Sequence, residues 1–206
     1  MADIDQSTDK YRGKYRIPSA RLATWDYGSN AAYFITICAL DRTHVFGEVV
    51  DGHVDLTPLG QAAWDCWYAI PDHFPFVLLD EFVAMPNHVH GIVIIDKPAA
   101  GIQNRDTVET QNRDTVETQD FASLRMPAPS LQKPKNKFGP QSQNLASIIR
   151  GFKIGVTKYA RQCQIIFAWQ ERYHDHIVRD VAECQRIRQY IINNPQAWET
   201  DTFHTR

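Results

Sequence analysis

Apolar residues recur along the chain with two periods, and the change from one to the other marks where strands give way to helices. Tyr33-Phe34-Ile35-Thr36-Ile37-Cys38-Ala39-Leu40 is β-branched and aromatic, too short for a typical helix, and bounded by Gly28-Ser29-Asn30 and Asp41-Arg42. It predicts the first core strand. Runs at 45–50 and 54–56 flank Asp51-Gly52, a dipeptide suited to the left-handed turn of a two-residue hairpin. Thr57 and Pro58 then supply an N-cap and a first helical residue, Leu59, Ala62, Ala63, Trp67 and Ile70 recur at helical spacing, and Pro71 is expected to end that helix. Runs at 77–85 and 88–95, joined by Pro86-Asn87, predict an antiparallel hairpin. A helix begins at Leu145 and runs through Phe152, Val156, Tyr159 and Ala160, with Arg150, Lys153, Lys158 and Arg161 on its wetter sides. Residues 167–179 read as extended, and a last helix from Asp180 carries Ile187, Tyr190, Ile191 and Asn194 before Pro195 closes it. This order predicts an α+β fold, a ferredoxin-like sandwich with a central antiparallel sheet and helices packed mainly on one face.

A length of 206 residues with 43% apolar content suits a single domain over 21–198, between a basic N-terminal tail at 1–20 and a C-terminal tail at 199–206. Residues 97–143 interrupt it. They are polar, contain five prolines and carry Gln-Asn-Arg-Asp-Thr-Val-Glu-Thr twice, at 103–110 and 111–118, which predicts a disordered, dispensable insertion holding a duplicated piece of loop. The formal charge of −2 and a pI near 6.4 give no global nucleic-acid signal, so a surface of that kind has to be made by local clustering. Lys10, Arg12, Lys14, Arg16 and Arg21, interleaved with Tyr11 and Tyr15, form one such cluster, able to hold phosphates and stack on unpaired bases; the plainer alternative is a solvated tail. Cys38, Cys66, Cys163 and Cys184 lie far apart without C-x-x-C spacing, as expected of reduced thiols in a cytoplasmic protein. No basic segment followed by an apolar run opens the chain, and no stretch approaches the roughly 20 apolar residues of a membrane helix, so the expected protein is soluble and unexported.

The chemistry concentrates in Met85-Pro86-Asn87-His88-Val89-His90-Gly91. Strand alternation projects His88 and His90 to one side, giving two imidazoles that can bind a divalent cation and leave positions open for substrate, or alternatively a pair that only hydrogen-bonds in the core. On the last helix Tyr190 and Asn194 stand one turn apart on one face, where phenol and amide can address the same site. His174-Asp175-His176 is a second His-x-His, although its aspartate would face the side of a strand that should be buried. Tyr159 is a second candidate nucleophile, but its neighbour one turn on is Cys163, a soft ligand poorly matched to magnesium.

The run from Phe82 to Ile95 resembles the histidine–hydrophobic–histidine (HUH) motif of single-tyrosine transposases, and Gln189-Tyr190-Ile191-Ile192-Asn193-Asn194-Pro195 resembles their tyrosine helix. Segments at 21–27, 33–38 and 169–180 are similar to the branch of REP-associated tyrosine transposases, and the resemblance covers roughly residues 20–97 and 143–198. It implies that His88 and His90 are metal ligands, Tyr190 the nucleophile and Asn194 the third ligand, where many insertion-sequence relatives carry glutamine. It further implies Mg²⁺ or Mn²⁺ as cofactor and nicking and rejoining of single-stranded DNA at hairpin-forming repeats through a covalent 5′-phosphotyrosine. The DNA contacts it suggests are Lys10, Arg12, Lys14, Arg16, Arg21, Arg172 and Arg179, in a monomer or homodimer. A hairpin-binding protein that no longer cuts, and a metal-dependent phosphodiesterase without a covalent intermediate, are the alternatives.

Overall fold

The computed structural model describes residue 22, residues 24–98 and residues 142–204, together with the backbone of two short paired strands, β1 (Lys10–Tyr11) and β2 (Lys14–Tyr15). The 97–143 insertion falls almost wholly outside the described residues, as do Arg12, Arg16 and Arg21.

The centre is an antiparallel sheet. Its strands are β3 (Ala31–Cys38), β6 (Val77–Met85), β7 (His88–Ile95) and β8 (His174–Val178), in the order β6-β7-β3-β8. β7 is central and buried along its whole length, which explains why its sequence is apolar on both faces apart from the two histidines. Register fixes what each face carries. Cys38 lies opposite His88, Thr36 opposite His90, Phe34 opposite Ile92 and Ala32 opposite Ile94, all on one face. Tyr33, Ile35 and Ile37 share the other with Val89, Val93 and Ile95.

On that second face lie α1 (Pro58–Tyr68) and α3 (Leu145–Gln162), which close the main core around Trp67, Phe152 and Trp169. The remaining long helix, α4 (Val181–Asn193), covers the histidine face through Cys184, Ile187 and Ile191, packed on Ala32, Ile92 and Ile94. The architecture is therefore the α+β sandwich that the order of elements predicts, with two of three long helices on one face and the tyrosine helix on the other.

The local signals resolve in turn. β4 (Gly47–Val50) and β5 (His53–Leu56) pair about Asp51 and Gly52, with φ of 50° and 76°, the conformation of a two-residue type I′ turn. The Thr57 hydroxyl accepts from Gly60 N–H at 3.1 Å and caps α1. Asn144 and Ser147 form a reciprocal capping box on α3, and Asp180 caps α4 by accepting from Glu183 N–H at 2.7 Å.

Two expectations need correction. Pro71 does not end α1; the helix stops at Tyr68, and Pro71 sits in the first turn of a short helix α2 (Ile70–His73), where its fixed φ and missing N–H are harmless. The extended run at 167–179 forms continuous ladder only over β8, because the register shifts between Thr36/His174 and the isolated antiparallel bridge Ala39/Trp169, where Leu40 N–H donates to the Ala168 carbonyl and Gln170 N–H to the Cys38 carbonyl.

Candidate active site

His88 and His90 project from β7 beneath α4 and are 0% and 1% exposed. Burial holds both imidazoles neutral: it pushes His88 down to about 3, helped by the Arg42 charge, and His90 well below its ordinary value, helped by His88. Their Nε2 atoms converge at 3.0 Å. Each ring is held from behind. Asn87 donates through Nδ2 to the Phe203 carbonyl at 2.9 Å, which turns its Oδ1 toward His88 Nδ1 at 2.7 Å. A carbonyl oxygen only accepts, so His88 carries its proton on Nδ1 and leaves Nε2 as a bare lone pair. His90 Nδ1 lies 2.9 Å from Thr36 Oγ1, and the Ile35 carbonyl also accepts from this ring. That arrangement frees the second Nε2.

α4 brings the tyrosine to this pair. Tyr190 Oη stands 3.3 Å from His90 Nε2 across a sequence separation of 100 residues, and the ring packs edge-on against Phe34, which stacks on His90. The phenol is held above its usual range, by burial first and by the Asp201 carboxylate second, while a hydrogen bond from the Asn194 amide pulls the other way. One turn beyond, Asn194 is buried at the helix end, donates through Nδ2 to Asp201 Oδ2 at 3.2 Å, and has no hydrogen-bond partner for Oδ1. Arg186, Gln189, Tyr190 and Asn193 line an adjoining cleft of about 510 Å³.

These donors fit a divalent ion. A buried carbonyl oxygen without a partner is costly. Two neutral imidazoles presenting lone pairs at 3.0 Å repel each other, yet the distance is that of neighbouring ligands around an ion with bonds of about 2.1 Å. Two nitrogens and one amide oxygen are donors suited to such a cation. Among the described residues no third His, Cys, Asp or Glu joins the pair as a possible ligand.

Of the competing residues, His174 and His176 share the face of the histidine pair, with His174 opposite Thr36 on the far edge of β3 from His90, but among the described residues they do not join it as ligands. His176 Nε2 is engaged by Glu183 Oε1 at 2.9 Å, and Asp175 is half-buried on the α1/α3 face, as strand alternation requires. Tyr159 belongs to α3, on the far side of the sheet from the histidines, where it hydrogen-bonds Cys163. Arg172 and Arg179 are exposed just beyond opposite ends of β8, so they do not converge on one point. The side chains of Lys10 and Lys14 lie outside the description. All four cysteines are free thiols, and no helix of the described residues is long and apolar enough to cross a membrane.

Sequence reasoning missed Thr36, Asn87, Asp201 and Phe203. Asn87 reads as a turn residue, and 199–206 as a polar tail, yet the Phe203 ring lies 4.5 Å from His88 with Arg42 over its other side at 4.7 Å. The one available signal is the aromatic-and-acid pattern Trp198, Asp201, Phe203 just past the tyrosine helix.

No family model matches the chain. An uncharacterized protein of Haemophilus influenzae (strain Rd) is 37% identical over 199 residues, covering 96% of this chain and 98% of that one. The chain belongs to that protein's family. Among solved structures, that of a REP-associated tyrosine transposase bound to a REP hairpin aligns with a TM-score of 0.51 over 87% of this chain and 73% of its own, at 14% identity. At that identity the likeness establishes a shared fold.

Proposed function

We propose that this protein is a metal-dependent single-strand DNA transposase or endonuclease that nicks and rejoins DNA at hairpin-forming repeats through a phosphotyrosine on Tyr190. The observation that carries the reading is the approach of Tyr190 Oη to within 3.3 Å of His90 Nε2, beside the converging histidine pair. Support comes from the shared fold with a transposase solved on a REP hairpin.

When bound by His88, His90 and Asn194, Mg²⁺ or Mn²⁺ supplies Lewis acidity and offsets charge at the scissile phosphate. The rest belongs to the chain. Tyr190, 44% exposed, presents Oη at the edge of the cleft while its ring is held by Phe34 and His90, so the nucleophile is oriented yet reachable by a strand. Attack of Oη on phosphorus, with loss of the phenol proton, forms the Tyr–O–P bond and breaks the bond to the leaving 3′-oxygen, which takes up a proton to become a 3′-hydroxyl. The bond energy stays in the phosphotyrosine, so a 3′-hydroxyl can reverse the step and reseal a strand without ATP. Burial and Asp201 keep the phenol protonated at neutral pH, and the Asn194 amide favours the phenolate.

Incubating the protein with labelled single-stranded DNA carrying a REP-like hairpin and Mn²⁺, then running a denaturing gel, tests the reading. A metal-dependent adduct present in wild type and Tyr159→Phe, and lost in Tyr190→Phe and His88→Ala, is the expected result. Cleavage without adduct would indicate a phosphodiesterase, and hairpin binding with neither would indicate a binding protein.

A further inference from the structure

The C-terminal turn does more than cover the histidines. Its backbone holds both residues that orient the site's donors: the Phe203 carbonyl accepts from Asn87 Nδ2 at 2.9 Å, and the Phe203 N–H donates to Asp201 Oδ1 at 2.7 Å. Asn87, so turned, presents Oδ1 to His88 Nδ1 at 2.7 Å and fixes that ring's tautomer. Asp201 accepts from Asn194 Nδ2 at 3.2 Å through its other oxygen, which decides which end of the amide is left over. The end left over is Oδ1, buried and without a partner. The backbone of one residue thus ties the orientation of a ring on β7 to that of an amide at the end of α4.

We propose that Asn87 and Asp201 are positioning residues of the metal site, clamped together by the backbone of Phe203, so that the 201–203 turn is part of the site rather than a tail laid over it. This rests on the metal reading above. Without Asn87 the His88 proton is free to move to Nε2 and block the lone pair. Without Asp201 the Asn194 amide is free to turn and offer N–H₂ where an oxygen is required. Outer partners of this kind orient metal ligands, and their loss costs about 10–100-fold in metal affinity.

The test uses the full chain with Mn²⁺ alone as probe, its dissociation constant read by electron paramagnetic resonance, and long-range ¹H–¹⁵N NMR of the metal-free protein to read the His88 tautomer. Asn87→Leu is expected to bind Mn²⁺ about 10–100-fold more weakly and to show His88 protonated at Nε2 in part or wholly. Asn87→Asp keeps the acceptor for His88 but has no donor for the Phe203 carbonyl, so it is expected to restore the Nδ1–H tautomer and only part of the affinity. Asp201→Ala should lose a similar factor, and Asp201→Asn, whose single carbonyl oxygen cannot serve both the Phe203 N–H and Asn194 Nδ2, should recover only part of it. Wild-type affinity and tautomer in Asn87→Leu, or wild-type affinity in Asp201→Ala, would overturn the inference and leave the metal reading standing. Equal Mn²⁺ binding by wild type and His88→Ala would overturn both. Circular dichroism separates unfolding from loss of orientation, and the conservative variants decide the matter if Asn87→Leu fails to fold.

Discussion

At the scale of single residues, the histidine strand is held flat by what lies beneath it. A Cβ on Gly91 would come within 2.3 Å of the Trp67 ring, which is stacked on Phe82 at 4.6 Å and packed edge-on against Phe152 at 5.4 Å. The indole has no room to retreat. Gly91→Ala is therefore expected to lower stability by about 1–3 kcal/mol in a urea titration, the usual range for overpacking. An unchanged midpoint would show that Trp67 can give way. Of the candidate site, strand alternation put His88 and His90 on one side and helical periodicity put Tyr190 and Asn194 on one face, while only the family resemblance joined the two pairs. Asn87 and Asp201 were not legible. Asn87 acts through a carbonyl 116 residues away, and Asp201 matters because a helix end delivers Asn194 to it; local pattern carries neither fact.

At the scale of elements, the tyrosine helix needs an anchor, since Tyr190 and Asn194 serve the site only if α4 sits at the right height on the sheet. Arg188, two residues before Tyr190, donates from Nε to Asp80 Oδ1 and Oδ2 at 2.9 and 2.8 Å, and from Nη2 to Oδ2 at 2.6 Å. Asp80 lies in the β-bulge of β6 between Leu79 and Phe82, an irregularity of the kind that re-aims a side chain. With side chains only 23% and 10% exposed, the pair is shielded from solvent, so breaking it leaves a partly buried charge. Arg188→Met should cost about 1–3 kcal/mol by urea titration and slow adduct formation, and Asp80→Asn combined with it should add little more. Strictly additive losses in that double-mutant cycle would mean the contact does not couple α4 to the sheet. Sequence pattern reached the four sheet strands, the hairpins at 47–56 and 77–95 and all three long helices, but not the paired strands β1 and β2 or the short helix α2. It missed the bulge because Asp80-Glu81 interrupts an apolar run without any turn signal, and it overextended β8 because 167–173 has strand composition but meets β3 in a shifted register.

At the scale of the whole molecule, the sheet divides the protein into a face that carries the main core and a face that carries the histidine pair. α1 and α3 supply the large aromatic core and, through Arg150, Lys153, Lys158 and Arg161, the cationic rim of a groove of about 660 Å³. The histidines, the tyrosine and the C-terminal turn occupy the other side, where Tyr190, Asn194 and Asp201 line the cleft above the buried histidines. This division is why Tyr159, the second candidate by sequence, has no route to the histidine pair, whereas Tyr190 Oη stands 3.3 Å from His90 Nε2. The central claim is that Tyr190 becomes covalently joined to DNA. Its most direct test is mass spectrometry of the protein after reaction with hairpin-bearing single-stranded DNA and Mn²⁺, followed by nuclease trimming and trypsin. A nucleotide mass on Tyr190 within the peptide 189–206, absent when metal is withheld, is the predicted result; cleaved DNA with that peptide unmodified, or the mass on another tyrosine, would contradict the account.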